Sequence, residues 1–191
     1  MTKDTYTRIL DSAQALLTSY GYNAFSYADI STEVGIGKAT IHHHFPTKAD
    51  LAAAVLARYR ETSRQAVGNL LSAEPGAMAR LGAYVGYWEQ CIRNNDRPFC
   101  IGALLAAELP SLPDQVVKEV QGHFADFTNW LTQVIDEGLK NDELRSSDSA
   151  EKEAHTLLAS VHGAMLAARV AGGDAALYSC IVNAALQRLK A

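Results

Sequence analysis

Apolar residues recur three and four positions apart along almost the whole chain, and no stretch alternates apolar with polar as a half-buried strand would. Met78, Leu81, Val85, Trp88 and Ile92 step this way. So do Val117, Val120, Phe124, Phe127, Leu131 and Val134, and again Ala154, Leu157, Leu158, Val161, Met165 and Ala168. This spacing lines one face of an α-helix. Glycine and proline punctuate the pattern at Gly21, Gly35 and Gly37, Pro46, Pro75-Gly76, the stretch 94–98, Pro110 to Pro113, the stretch 141–148 and Gly172-Gly173. Between these breaks the periodicity predicts about nine helices and an all-α fold. Ala (31) and Leu (21) outnumber Val (11) and Ile (8), which agrees, because the former lose less side-chain freedom in a helix.

The 191 residues suffice for one large domain or two small ones. No run of about 20 apolar residues is present, so no membrane span is expected. The first residues lack the apolar core of a secretory leader. The three cysteines (Cys91, Cys100, Cys180) are odd in number and not at metal-ligand spacing, which fits a reducing cytoplasm better than a disulfide scaffold. A net charge of −4 excludes a basic nucleic-acid coat protein but not a local basic patch.

Such a patch exists. From Val34 to Ala49 there is no carboxylate, while Lys38, Lys48 and three consecutive histidines (His42, His43, His44) fall in that window. It lies across two short helical segments. One is capped by Ser26 with Asp29 three residues on and ends near Val34. The other runs from about Lys38 to Phe45, where Pro46 stops it. Thr47 and Asp50 repeat the capping pattern for a long fourth segment. Two short helices joined by a Gly-containing turn, after a supporting first helix from about Asp4 to Tyr20, read as a helix-turn-helix. Lysines neutralise phosphates there, and Thr40 and the helix's first amides donate to phosphate oxygens. The three histidines do not make a metal site, because consecutive helical residues point about 100° apart. Nor is Gly35 to Thr40 a phosphate-binding loop: Thr32 and Ala39 stand where that pattern needs Gly and Ser/Thr.

The 26 positions from Ser26 to Leu51 resemble the DNA-binding core of the TetR family of transcriptional regulators. Ile30, the Gly35-Ile36 turn, Lys38, Thr40, His44-Phe45, Lys48 and Leu51 carry the match. Two positions depart from the family's pattern: His42 stands where Tyr is usual, and Gly37 where Ser or Thr often caps the recognition helix. The resemblance implies a dimeric, all-helical repressor that binds double-stranded operator DNA. Residues 3–63 would form the DNA-binding domain, with the helix-turn-helix at about 26–45, and residues 64–191 a ligand-binding and dimerisation domain. It implies DNA contacts from Ser26, Tyr27, Gly37, Lys38, Ala39, Thr40, His42, His43 and Lys48.

The resemblance also implies an inducer pocket in the longer helices, for a small apolar molecule or an electrophile. Tyr84, Trp88, Cys91, Cys100, Leu104, His123, Phe124, Phe127, Trp130 and His162 are its candidates. Cys100 precedes an apolar segment predicted over Ile101 to Leu109, and Arg97 and that helix's start would acidify its thiol, making Cys100 the candidate redox sensor. The last two helices carry many small residues, and Leu157, Val161, Ala164, Ala168, Leu177, Ile181 and Ala185 are read as the self-complementary face of a homodimer. No Gly-x-Ser-x-Gly or His-Glu-x-x-His motif points to an enzyme, and no cofactor or metal is expected.

Overall fold

A computed structural model describes residues 4–95 and 99–191, with the side chains of Leu71 and Ser72 excepted. Arg97, proposed above to act on Cys100, lies outside the described residues. Among the described residues there are nine α-helices and no strand. They are α1 (Thr5–Tyr20), α2 (Tyr27–Val34), α3 (Lys38–His44), α4 (Lys48–Ala73), α5 (Ala77–Arg93), α6 (Ile101–Ala106), α7 (Asp114–Lys140), α8 (Ala150–Val170) and α9 (Ala175–Leu189). No helix among them is long and apolar enough to cross a membrane.

Helix ends follow the local chemistry. Asp4 caps α1 by accepting from the Thr7 amide at 2.7 Å. Ser26 and Asp29 form the full reciprocal capping box on α2. The Thr47 and Asp50 side chains each accept from the other's amide at the start of α4, at 3.0 and 3.1 Å. Gly35 ends α2 in the left-handed region (φ 70°), where its amide and that of Ile36 both return to the Ser31 carbonyl. α6 stops three residues short of the expected Leu109. The residue before a proline is pushed out of the α region, and Leu109 to Ser111 tighten into a 3-10 turn instead.

The chain divides into two compact units. The first comprises residues 1–62 and 101–123. Its core is built from Ile9, Ala13 and Leu17 of α1, Ile30 of α2, Ile41 of α3 and Leu51, Ala52, Val55 and Leu56 of α4, all fully buried. Residues 101–123, which the sequence assigns to the C-terminal domain, belong to this unit. Arg60 pairs with Glu119 at 2.9 Å, Gln115 donates to Asp50 at 3.0 Å, and Glu108 bonds the loop after α1. The first unit is therefore discontinuous in sequence.

The second unit comprises residues 63–100 and 124–191. α8 and α9 pack together, and α5 packs on both. Tyr178 of α9 is fully buried and donates its hydroxyl to the Val85 carbonyl of α5 at 3.1 Å. Arg80 of α5 pairs with Glu137 of α7 at 2.8 Å, and the Glu143 carboxylate accepts from the first amide of α5 at 2.7 Å.

This packing corrects part of the expected dimer face. Leu157, Val161, Ala164 and Ala168 are 2, 0, 0 and 0% exposed, so they fill the protomer's own core and offer nothing to a second copy. Leu177, Ile181 and Ala185 are half-buried. The apolar stripe that α8 leaves open is Ala159, Gly163, Leu166 and Val170, with Leu166 56% and Val170 83% exposed.

Candidate DNA interface and aromatic cluster

α3 is seven residues long and rests on two apolar anchors, Ile41 (0% exposed) and Phe45 (3%), the latter directly after its end. With those two turned inward, Gly37, Lys38, Ala39, Thr40, His42 and His43 are all exposed. Gly37 caps the helix with extended backbone and no side-chain bond, which leaves the first-turn amides open to an external acceptor. His42 places its Nδ1 3.2 Å from the Pro46 carbonyl, and its ring meets Tyr27 edge-on at 4.7 Å. His44, half-buried, sits edge-on to Tyr6 at 5.9 Å. The result is an acid-free surface of amides, one ammonium, one hydroxyl and two imidazoles on a firmly seated short helix.

Three residues expected to face DNA have other occupations. Tyr27 is 9% exposed, and its hydroxyl donates to the Phe45 carbonyl at 2.8 Å, tying α2 to the end of α3. Burial pushes that phenol up to about 12, so it stays a donor. Ser26 is exposed, but its hydroxyl donates to Asp29 and accepts from the Ala28 amide. Lys48 is half-buried. Its ammonium donates to the Phe25 carbonyl and lies over the Tyr22 and Phe25 rings, 4.8 and 4.3 Å from their centroids. Burial lowers its pKa, while Glu108 and Asp29 act to raise it. A lysine this engaged is a strut for the α1–α2 loop rather than a solvated charge available to phosphate.

Glu108 is a positioning residue that the sequence reading missed. Its carboxylate accepts from the Tyr22 amide (3.1 Å), the Asn23 amide (3.3 Å) and the Asn23 side-chain amide (2.9 Å), and Asn23 also donates to Ser111 at 3.2 Å. Gly21 makes room for it: a Cβ there would stand 1.9 Å from Glu108 Oε1. Arg8 likewise holds the last carbonyl of α2, at Val34, and Ser12 donates to Glu33 at 2.7 Å.

The pocket candidates divide between the units. Leu104 and His123 fall in the first, where His123 is 2% exposed and its ring lies 5.2 Å from that of Tyr59. In the second unit Tyr84, Trp88, Cys91, Cys100, Phe127 and Trp130 are all buried, while Phe124 and His162 are half-buried and meet edge-on at 5.1 Å. Tyr84, Phe127 and Trp130 form a ring triad, with centroids 5.6, 5.4 and 6.5 Å apart. Burial pushes the Tyr84 phenol well above its usual range and holds His162 down at about 4, so both are neutral near pH 7. Cys100 is 1% exposed, and none of the three cysteines is in a disulfide.

Two family models match this chain. The model described as "Bacterial regulatory proteins, tetR family" covers residues 9–55, and that described as "Tetracyclin repressor-like, C-terminal domain" covers 77–182. A TetR-family transcriptional regulator of Agrobacterium tumefaciens is similar over 97% of both chains, with 44% identity and a TM-score of 0.94. A TetR transcriptional regulator of Legionella pneumophila is similar over 99% of both, with 27% identity and a TM-score of 0.89. The HTH-type transcriptional repressor DhaR of Mycobacterium sp. (strain GP1) is 21% identical over 162 residues, 85% of this chain and 81% of that protein. A helix-turn-helix head with an acid-free recognition helix, followed by a helical C-terminal region, thus accompanies matches to both of the family's domains: the chain belongs to the TetR family of DNA-binding transcriptional regulators.

Proposed function

We propose that this chain is a homodimeric repressor that leaves a pseudo-palindromic operator when a small molecule binds its C-terminal unit. The observation that carries the DNA half is α3: Gly37, Lys38, Ala39, Thr40, His42 and His43 are exposed together on a helix with no acid from residue 34 to 49. Lys38 and Thr40 contact phosphates, with the first amides of α3 beside them, and His42 and His43 face the groove. Paired recognition helices imply half-sites about one helical turn apart, roughly 34–36 Å. Dimerisation runs through the open stripe of α8 (Ala159, Gly163, Leu166, Val170) together with Leu177, Ile181 and Ala185 of α9.

Two variants measured against DNA as a function of salt test this reading. Lys38→Ala weakens binding to every sequence and lowers the slope of log affinity against log salt by about two units, one per copy in the dimer. Lys48→Ala instead lowers thermal stability, because it removes a strut. An unchanged slope in Lys38→Ala rejects the placement of α3 on DNA. For release, the burial of Cys100 favours a non-covalent inducer over modification of that thiol.

A further inference from the structure

The chain has two tryptophans, Trp88 and Trp130, and the second unit treats them differently. Trp88 is 5% exposed, and its Nε1 is not among the buried polar atoms left without a partner. Trp130 is 6% exposed, and its Nε1 is buried with no acceptor among the described residues. Its surroundings are rings: Tyr84 edge-on at 5.4 Å and Phe127 edge-on at 6.5 Å. A buried indole normally finds an acceptor, because its desolvation is otherwise uncompensated.

Several charges in this unit have partners away from the triad. Arg80 pairs with Glu137, Arg93 with Glu89 and Lys140 with Asp136, and Arg169 lies over the Phe99 ring. Among the described residues no ion pair involves the triad. The three rings carry no charge, so a charged group set against them loses hydration without a counter-charge from them. Aromatic side chains favour an uncharged ring as an edge-to-face partner, and an acceptor-only oxygen on it answers an acceptor-less donor.

We infer that Trp130 selects the inducer: the effector is an uncharged aromatic or conjugated molecule whose carbonyl oxygen accepts the Trp130 indole N–H. This rests on the reading of the second unit as the effector site and specifies its chemistry. The proton stays on the indole, and no bond other than the hydrogen bond forms. A hydrocarbon of the same shape would leave the donor buried and unpaired, which costs about tenfold in affinity.

Acetophenone and ethylbenzene differ in the carbonyl and little else, so they serve as probes of the full-length protein. Affinities come from calorimetry on wild type and on Trp130→Phe. A 15N-indole spectrum, with only two cross-peaks to assign, reports the Trp130 proton directly and needs no variant at that position. The expected result is about tenfold tighter binding of acetophenone than of ethylbenzene, a downfield move of the Trp130 resonance with the ketone only, and loss of the preference in Trp130→Phe with ethylbenzene binding retained. Equal binding of both probes with an unmoved Trp130 resonance would overturn this inference and leave an apolar effector site standing. Binding of neither would overturn both. A Trp130 proton bonded to an ordered water that the ketone does not displace would also overturn it.

Discussion

Gly21 and Glu108 are 87 positions apart in sequence but are coupled tightly enough to be tested as a pair. Glu108→Ala removes the acceptor of three hydrogen bonds, to the Tyr22 amide, the Asn23 amide and the Asn23 side chain. Bonds to a charged acceptor contribute about 1.5–3 kcal/mol each when buried. Here Asn23 is exposed and water replaces much of what is lost, so the loss is about 2 kcal/mol in total. Gly21→Ala has two costs. At φ 79° and ψ −177° the backbone is in a region open essentially to glycine alone, which costs about 1–3 kcal/mol. The new Cβ also stands 1.9 Å from Glu108 Oε1, so the carboxylate must leave, and the same ~2 kcal/mol is lost again. In the double variant that second cost has already been incurred. Equilibrium unfolding in urea at one protein concentration should therefore show the double variant less destabilised than the sum of the singles, by about 2 kcal/mol. Additivity to within about 0.5 kcal/mol would mean that Glu108 does not hold this loop. Glu108→Gln, which keeps an acceptor but not the charge, should fall between wild type and Glu108→Ala.

Other expectations follow from the same geometry. Leu166→Glu should shift light-scattering mass from dimer toward monomer and abolish operator binding, while Leu157→Ala should lower stability by about 2–5 kcal/mol as a core cavity does, without a specific effect on dimerisation. His162, held at about 4 by burial, stays neutral in the folded chain while the unfolded chain takes up a proton below about 6.5. Its contribution is thus fully present above pH 6.5 and is lost as pH falls toward 4, by at most about 3 kcal/mol. Urea midpoints across that range should fall less steeply in His162→Gln. A chromogenic disulfide reagent should titrate exposed Cys180 at once and reach buried Cys91 and Cys100 only on unfolding. Three fast thiols in the native protein would reopen the sensor reading of Cys100.

What was legible in the sequence is what is local. Ser26 with Asp29, and Thr47 with Asp50, lie three residues apart, so the capping chemistry is written in adjacent letters. The Gly35 turn and the exposure of α3 follow from the same short window. The stripes of α8 were harder. That helix carries small or apolar residues on several faces, so spacing alone does not decide whether Leu157, Val161, Ala164 and Ala168 or Ala159, Gly163, Leu166 and Val170 turn inward. Packing against α9 and α5 decides it. The intramolecular partners of Lys48 and Tyr27 are illegible in the sequence for a related reason. The acceptors that occupy them, the carbonyls of Phe25 and Phe45, are main-chain atoms, which carry no residue-type signature. Glu108 was invisible because its partners are backbone amides 85 and 86 positions away.

The inclusion of residues 101–123 in the first unit bears on how such proteins can be cut and recombined. A gene fragment ending at residue 62 looks like a natural module, since it spans the whole helix-turn-helix. Expressed alone, it would leave Arg60 without Glu119, Asp50 without Gln115, and the amides after Gly21 without their carboxylate. Grafting that fragment onto a foreign effector domain would therefore move the DNA-reading surface without the piece that seats it. A chimera that also carries 101–123 inherits the head intact, but receives those residues through the middle of its new host. Exchange within this architecture is thus more readily achieved by changing residues inside 63–100 and 124–191 than by joining whole segments end to end.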